Sequence, residues 1–242
     1  MSEGDLKVPT EQEFSPRFVL ESPKAPEGLA LERLRALQAT ILEARQDYPE
    51  IAGATVFGST VKGRVKPKSD IDGFIFIDED VATAAGRPHR LFMYAGNQPE
   101  VWIDETKSDQ PYKDLILRGL WNRLRLQPDH IDGFTVLPIS SAVVQVSVVD
   151  AVEEKRKGET DVVNSNIRGL FHFGILNRPL DRFRAQVVND LRQHGDTGEE
   201  VWGELVDDVL LYEKGRKGQD VYFPRNLDEA TRVYIPTVLL RK

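Results

Sequence analysis

The feature that most constrains this chain is a pair of aspartates, Asp70 and Asp72, at the head of an otherwise apolar segment ending at Ile77. In an extended strand, residues two apart project to one face, so the two carboxylates lie close together. Like charges at that separation raise a pKa or weaken the strand. A divalent cation removes the repulsion. Hard oxygen ligands suit Mg²⁺, which takes one or two carboxylates and keeps its other positions for water and phosphate. Beyond Asp72 both alternating sets are apolar, Gly73, Ile75 and Ile77 on one side and Phe74 and Phe76 on the other. Such a strand belongs in the middle of a sheet covered on both faces.

Ile51 to Phe57 reads as an earlier buried strand, and Gly58-Ser59 follows it where the chain must turn sharply. Glycine lets the backbone approach a ligand closely, and Ser59 adds a hydroxyl beside turned backbone amides, a donor set suited to a phosphate oxygen. Lys62, Arg64, Lys66 and Lys68 crowd the loop that leads through Ser69 to Asp70. Phosphate cradle, basic loop and paired carboxylates thus fall within 15 residues, Gly58 to Asp72. The candidate nucleotide-binding residues are Gly58, Ser59, Lys68 and Ser69, and the candidate metal ligands are Asp70 and Asp72.

This pattern resembles the signature of nucleotidyltransferases of the DNA-polymerase-beta type: an apolar residue, Gly, then Gly or Ser, a spacer of about ten, then acidic, apolar, acidic, apolar. Here Phe57-Gly58-Ser59 is separated by ten residues from Asp70-Ile71-Asp72-Gly73-Phe74. The departure is Gly73, where an aliphatic residue is commoner. The resemblance implies two Mg²⁺ ions on Asp70, Asp72 and a third carboxylate from a neighbouring strand. It also implies a nucleoside triphosphate as substrate, attacked in line at its α-phosphate with pyrophosphate leaving. Asp132, opening the strand-like IDGFTVLPI, is the chosen third carboxylate, and its Asp-Gly pair also reads as a turn. Asp104 and, were 142–150 a strand, Asp150 are its rivals.

The remainder of the chain expects an α+β fold: a small mixed sheet with flanking helices, then a mainly helical part. Residues 1–28 carry Pro9, Pro16, Pro23 and Pro26 without a sustained period and read as an extended arm. Residues 29–140 form the expected nucleotidyltransferase domain, and 141–242 the helical one. Leu31, Leu34, Leu37, Ile41 and Ala44 predict a helix stopped by Pro49. Ser108 to Gln127 predicts another, with Leu115, Leu117, Leu120, Trp121 and Leu124 facing the core. Leu91–Tyr94 and Val101–Ile103 form a candidate hairpin. Residues 142–157 carry β-branched strand content but follow the capping pair Ser140-Ser141, which favours a helix. Two further helices are expected around Leu180–Leu191 and Val201–Tyr212, joined by Gly195 to Gly198.

A net charge of −7 over 242 residues disfavours an extended nucleic-acid surface, which needs Lys and Arg against phosphates. No apolar run suggests a membrane span, Met1-Ser2-Glu3-Gly4-Asp5 lacks the basic-then-apolar pattern so that no secretory signal is expected, and there is no cysteine for a disulfide or thiolate site. A cytoplasmic enzyme fits, passing a nucleoside monophosphate, AMP from ATP by preference, to a hydroxyl of a small molecule or protein. Antibiotic nucleotidyltransferases and the minimal ones of toxin–antitoxin pairs are similar in layout, and a homo-oligomer is compatible. The alternative is a non-catalytic nucleotide-binding or regulatory protein, such as an antitoxin-like partner, that retains the fold.

Other motifs carry less. Gly58 and Gly63 have P-loop spacing, but Arg64 and Val65 stand where Lys and Ser or Thr are needed. His89, His130, His172 and His194 show no paired ligand spacing. Arg178, Arg182 and Arg184 read first as a solvated helix face and second as nucleotide contacts. Trp202 and Tyr212 read as core.

Overall fold

A computed structural model describes residues 28–62, 65–86, 110–125, 134–213 and 223–239. Helix α1 (Gly28–Asp47) buries Ala30, Leu34, Leu37, Ile41 and Ala44 at the expected spacing of three and four, and it ends before Pro49. Strand β1 (Ile51–Phe57) leads into a single helical turn, α2 (Gly58–Val61), and the chain returns as β2 (Asp72–Asp78). A short α3 (Glu79–Ala84) follows, then α4 (Gln110–Leu124) and β3 (Phe134–Ile139).

The remaining elements are α5 (Ser141–Arg156), α6 (Ser165–Leu170), β4 (Phe173–Ile175), α7 (Asn177–Arg192), α8 (Gly195–Glu213) and α9 (Leu227–Leu239). The fold is α+β and mostly helical around one mixed sheet, with strand order β3-β2-β1-β4. β2 runs antiparallel to β1 and parallel to β3, while β4 pairs antiparallel with β1. β1 and β2 are therefore central, as their two-sided apolar character requires. Pro138 lies within β3 rather than ending it. As an edge strand, β3 tolerates the missing backbone donor.

Register fixes the faces. Phe57 pairs with Asp72 and Thr55 with Phe74, so these four side chains share a face with Thr135, the partner of Phe74 on β3. Helix α6 packs on this face: Thr55 Oγ1 donates to the Gly169 carbonyl at 2.7 Å, and Gly169 lies against the rings of Phe74 and Phe76. Helices α1 and α4 pack on each other and against β1 and β3, over the face that carries Ala54, Val56, Ile75 and Ile77. Gly73 belongs to that second face. A Cβ there would sit 2.3 Å from the Thr55 carbonyl and 2.8 Å from the Phe134 ring. The glycine that departs from the usual aliphatic residue therefore makes room for Phe134.

Residues 142–157 follow the cap rather than the β-branched content. Ser140 Oγ accepts from the Val143 amide at 3.1 Å, and Val144, Ser147, Val148, Ala151 and Val152 form one buried stripe of α5. Asp150 is thus a helical residue, so the condition under which it rivalled Asp132 is not met.

Three other expectations change. Trp121 is 42% exposed; Leu120 is buried as expected, Leu115 and Leu124 pack partly buried against the core, and Tyr112 and Ile116 join Leu120 in the buried stripe of α4. Gly195 and Gly198 belong to α8, and the connection shrinks to Gln193-His194. A Cβ on Gly198 would lie 2.0 Å from the Leu191 carbonyl, so close approach to α7, not loop flexibility, demands glycine. Arg184 is not part of a solvated face: it is fully buried, donating to the Leu170 carbonyl and to Asn177 and Asp181. Trp202 is core as expected, its Nε1 donating to the Pro224 carbonyl at 3.0 Å. The candidate hairpin, His89 and His130 lie outside the described residues, as do the side chains of Leu117 and Tyr212.

Candidate active site

The site forms where β1 ends and β2 begins. Gly58 has φ +72°, a left-handed conformation that L side chains avoid, and this turns the chain from β1 into α2. Its missing side chain has a second use. A Cβ at Gly58 would sit 2.5 Å from Asp72 Oδ2, so the carboxylate occupies the space any other residue would fill. Gly58 and Asp72, 14 positions apart, are thereby packed against each other. Gly58→Ala is expected to cost about 1–2 kcal/mol through the left-handed backbone. Any activity that uses the Asp72 carboxylate would also fall, by about 10–100-fold. Urea melts and steady-state rates separate the two effects.

Ser59 is the second residue of α2, and its Oγ is buried with no hydrogen-bond partner among the described residues. Lys62 closes the turn, its amide donating to the Gly58 carbonyl at 3.1 Å. A buried hydroxyl left without a partner is unfavourable, which points to a ligand acceptor at Ser59. Asp70 is exposed, Ile71 is fully buried and Asp72 is half-buried, the alternation of an extended segment entering a sheet. Lys66 and Lys68 are exposed beside it. Ser69 shapes the approach: its Oγ accepts from the Lys66 amide at 2.9 Å, and its own amide donates to the Lys66 carbonyl at 2.9 Å. Sequence reasoning had singled out these residues; the fold brings Gly58 against Asp72, and Lys66 against Ser69. Arg64, Asp104 and Asp132 lie outside the described residues.

Several residues around the site carried no sequence signal. Arg33 reaches from α1 to the carbonyls that precede Asp70. Behind Asp72 an aromatic layer joins Phe57, Phe74 and His172, with ring centroids 5.0 Å apart for Phe57–His172 and 5.3 Å for Phe57–Phe74. His172 is almost wholly buried, which with the charges of Arg168 and Lys62 pushes its pKa down to about 3. A ring neutral across the physiological range is a packing element here, not a proton carrier.

The far end of β2 is also acidic. Asp78 caps α3 by accepting from the Asp80 and Val81 amides and is ion-paired with Arg182. Next to it, burial and the charges of Asp80 and Asp78 push the Glu79 carboxyl up to about 7. A raised folded-state pKa means that the folded protein holds the proton more tightly than the unfolded chain. The associated stability is complete below the ordinary value of 4.5 and is lost as pH rises through about 7. Glu79→Gln should therefore flatten the stability profile between these limits, by about 1–2 kcal/mol after allowance for solvent screening. Chemical denaturation at stepped pH measures it.

Among the described residues no group of three or more His, Cys, Asp or Glu side chains converges to hold a metal, and no helix is long and apolar enough to cross a membrane. Asp70 and Asp72 supply two carboxylates. On the described part of β3, the positions sharing the face of Asp72 are Thr135, Leu137 and Ile139, none acidic. The donor set nevertheless suits a hard divalent cation: two carboxylates, one lodged in a notch only glycine leaves open, beside a buried hydroxyl without a partner. A family model described as a nucleotidyltransferase domain matches residues 37–157, which runs from within α1 to the end of α5. Comparison with curated proteins and with solved structures yields no match.

Proposed function

The chain belongs to the nucleotidyltransferase-domain family, and from that premise we propose that it transfers a nucleoside monophosphate, AMP from ATP by preference, to a hydroxyl of a small molecule or protein. The observation that carries the reading is the Asp72 carboxylate packed into the notch at Gly58. It ties the phosphate-binding turn to the metal-binding strand.

In this reading Ser59 Oγ and the amides of the turn at Gly58 bind phosphate oxygens, and Lys62, Lys66 and Lys68 balance the triphosphate charge. Asp70 and Asp72 hold Mg²⁺. A bound divalent cation supplies charge neutralisation and aligns the phosphates. The acceptor oxygen forms a bond to the α-phosphorus while the bond to the bridging α–β oxygen breaks. Pyrophosphate leaves, and the acceptor proton passes to a carboxylate base or to water. Asp132 is the proposed third carboxylate and base, with Asp104 its rival.

A second reading has one observation in its favour, the absence of an acidic residue on the described part of β3 facing Asp72. It makes the chain a nucleotide-binding partner without turnover. Incubation with labelled ATP, GTP, CTP or UTP and Mg²⁺, in the presence and absence of hydroxyl acceptors, decides between them. Pyrophosphate release or label transfer that disappears in the Asp70→Asn/Asp72→Asn double variant is the expected result. Mg²⁺-dependent nucleotide binding with no release from any of the four would favour the second reading.

A further inference from the structure

Arg33 is a charged residue at 1% exposure, on the face of α1 that otherwise carries alanine, leucine, isoleucine and Thr40. Its two terminal guanidinium nitrogens donate to backbone carbonyls of one loop, while Nε is buried with no partner among the described residues. Nη1 donates to the Ser69 carbonyl at 2.5 Å and to that of Asp70 at 3.4 Å; Nη2 donates to those of Pro67 at 3.0 Å and Lys66 at 3.2 Å. Four carbonyls converging on one planar fork define the path of residues 66–70. Burial pushes the Arg33 pKa below its ordinary value, and the charges of Asp70 and Glu32 act against that shift. Ser69 closes the same turn from outside through its bond with the Lys66 amide.

We propose that Arg33 is a positioning residue for the metal-binding carboxylates, fixing the loop that delivers Asp70 and Asp72 to the Gly58-Ser59 turn. The inference rests on the reading of Asp70 and Asp72 as metal ligands. Arg33 is buried and its hydrogen bonds go to backbone carbonyls, so it acts through the backbone of the loop. A guanidinium spans the carbonyls of Lys66 and Pro67 with one nitrogen and those of Ser69 and Asp70 with the other, whereas a lysine ammonium keeps the charge but reaches only one of the two sets. Arg33→Lys therefore separates positioning from charge.

The test reads Mn²⁺ binding by water-proton relaxation, which requires no turnover, in the wild type, Arg33→Lys, Ser69→Ala and Asp72→Asn. Arg33→Lys that is folded by circular dichroism should bind Mn²⁺ about 10–100-fold more weakly, the range seen when a partner of a metal ligand is lost. A merely structural arginine would lower the melting temperature and leave Mn²⁺ affinity unchanged. Should Arg33→Lys fail to fold, Ser69→Ala loosens the same turn from its exposed side and must weaken Mn²⁺ in the same direction. Wild-type affinity in both variants, with binding lost in Asp72→Asn, overturns the role of Arg33 and leaves the metal site standing. Equal binding by wild type and Asp72→Asn overturns the metal site, and the role of Arg33 with it.

Discussion

Asp72→Asn is expected to lower nucleotidyl transfer by on the order of 10³-fold while the fold survives. Asparagine matches the volume of aspartate, so it can occupy the notch at Gly58 without repacking β1 against β2. What disappears is one negative charge at the point proposed to hold the triphosphate and its cation. Metal-assisted charge stabilisation is worth several kcal/mol, and about 4 kcal/mol corresponds to roughly three decades in rate. Removing one of two neighbouring like charges should leave the melting temperature unchanged or slightly raised. Asp70→Asn should be milder, on the order of 10²-fold, because Asp70 is exposed and water can take the vacated coordination position. Rates at saturating Mg²⁺, with thermal melts on the same preparations, give both quantities. Turnover by Asp72→Asn within a few-fold of wild type would remove this residue from the chemistry.

The site was legible where its chemistry has a short-range pattern. Gly58-Ser59 directly follows β1 and Asp70-Ile71-Asp72 leads into β2, its antiparallel neighbour, so local sequence and contact coincide. The double-sided apolar character of 73–77 placed β2 inside the sheet. Arg33 was not legible, because a charged residue beside an apolar stripe reads as solvated flank and its partners are backbone carbonyls, which have no sequence signature. Nor was β4: three residues, Phe173-Gly174-Ile175, are too few for alternation to register, and only pairing with β1 makes them a strand. Trp121 fell outside the stripe because the phase of α4 is set by Tyr112, Ile116 and Leu120. The segment 142–157 showed propensity and capping in conflict, and the Ser140 cap with a buried stripe on one face decided it.

The family match ends at residue 157, but the face behind Asp72 is closed by residues beyond it. Gly169 accepts the hydrogen bond of Thr55, and the neighbouring Leu170 carbonyl accepts from Arg184 Nε at 2.6 Å. Arg184 is fully buried and also donates at 3.0 Å to both Asn177 and Asp181. Its charge is balanced inside the protein by a carboxylate that is itself buried. Asp181→Ala would take that carboxylate away from the buried guanidinium. Breaking a buried pair from one side destabilises by about 3–5 kcal/mol, against a total of about 5–15 kcal/mol for an ordinary domain. The variant should therefore unfold at markedly lower urea, with activity falling as the folded fraction falls and KM for the nucleotide unchanged. Adding Arg184→Met should recover part of the loss, since the charge is removed and most of its volume retained. A double variant worse than Asp181→Ala would mean that the arginine stabilises through its carbonyl bonds, with the ion pair secondary. Either way the α6–β4–α7 corner supports the nucleotidyltransferase sheet from outside the matched span, because Thr55 bonds to the Gly169 carbonyl and Phe74 lies against Gly169 and the His172 ring.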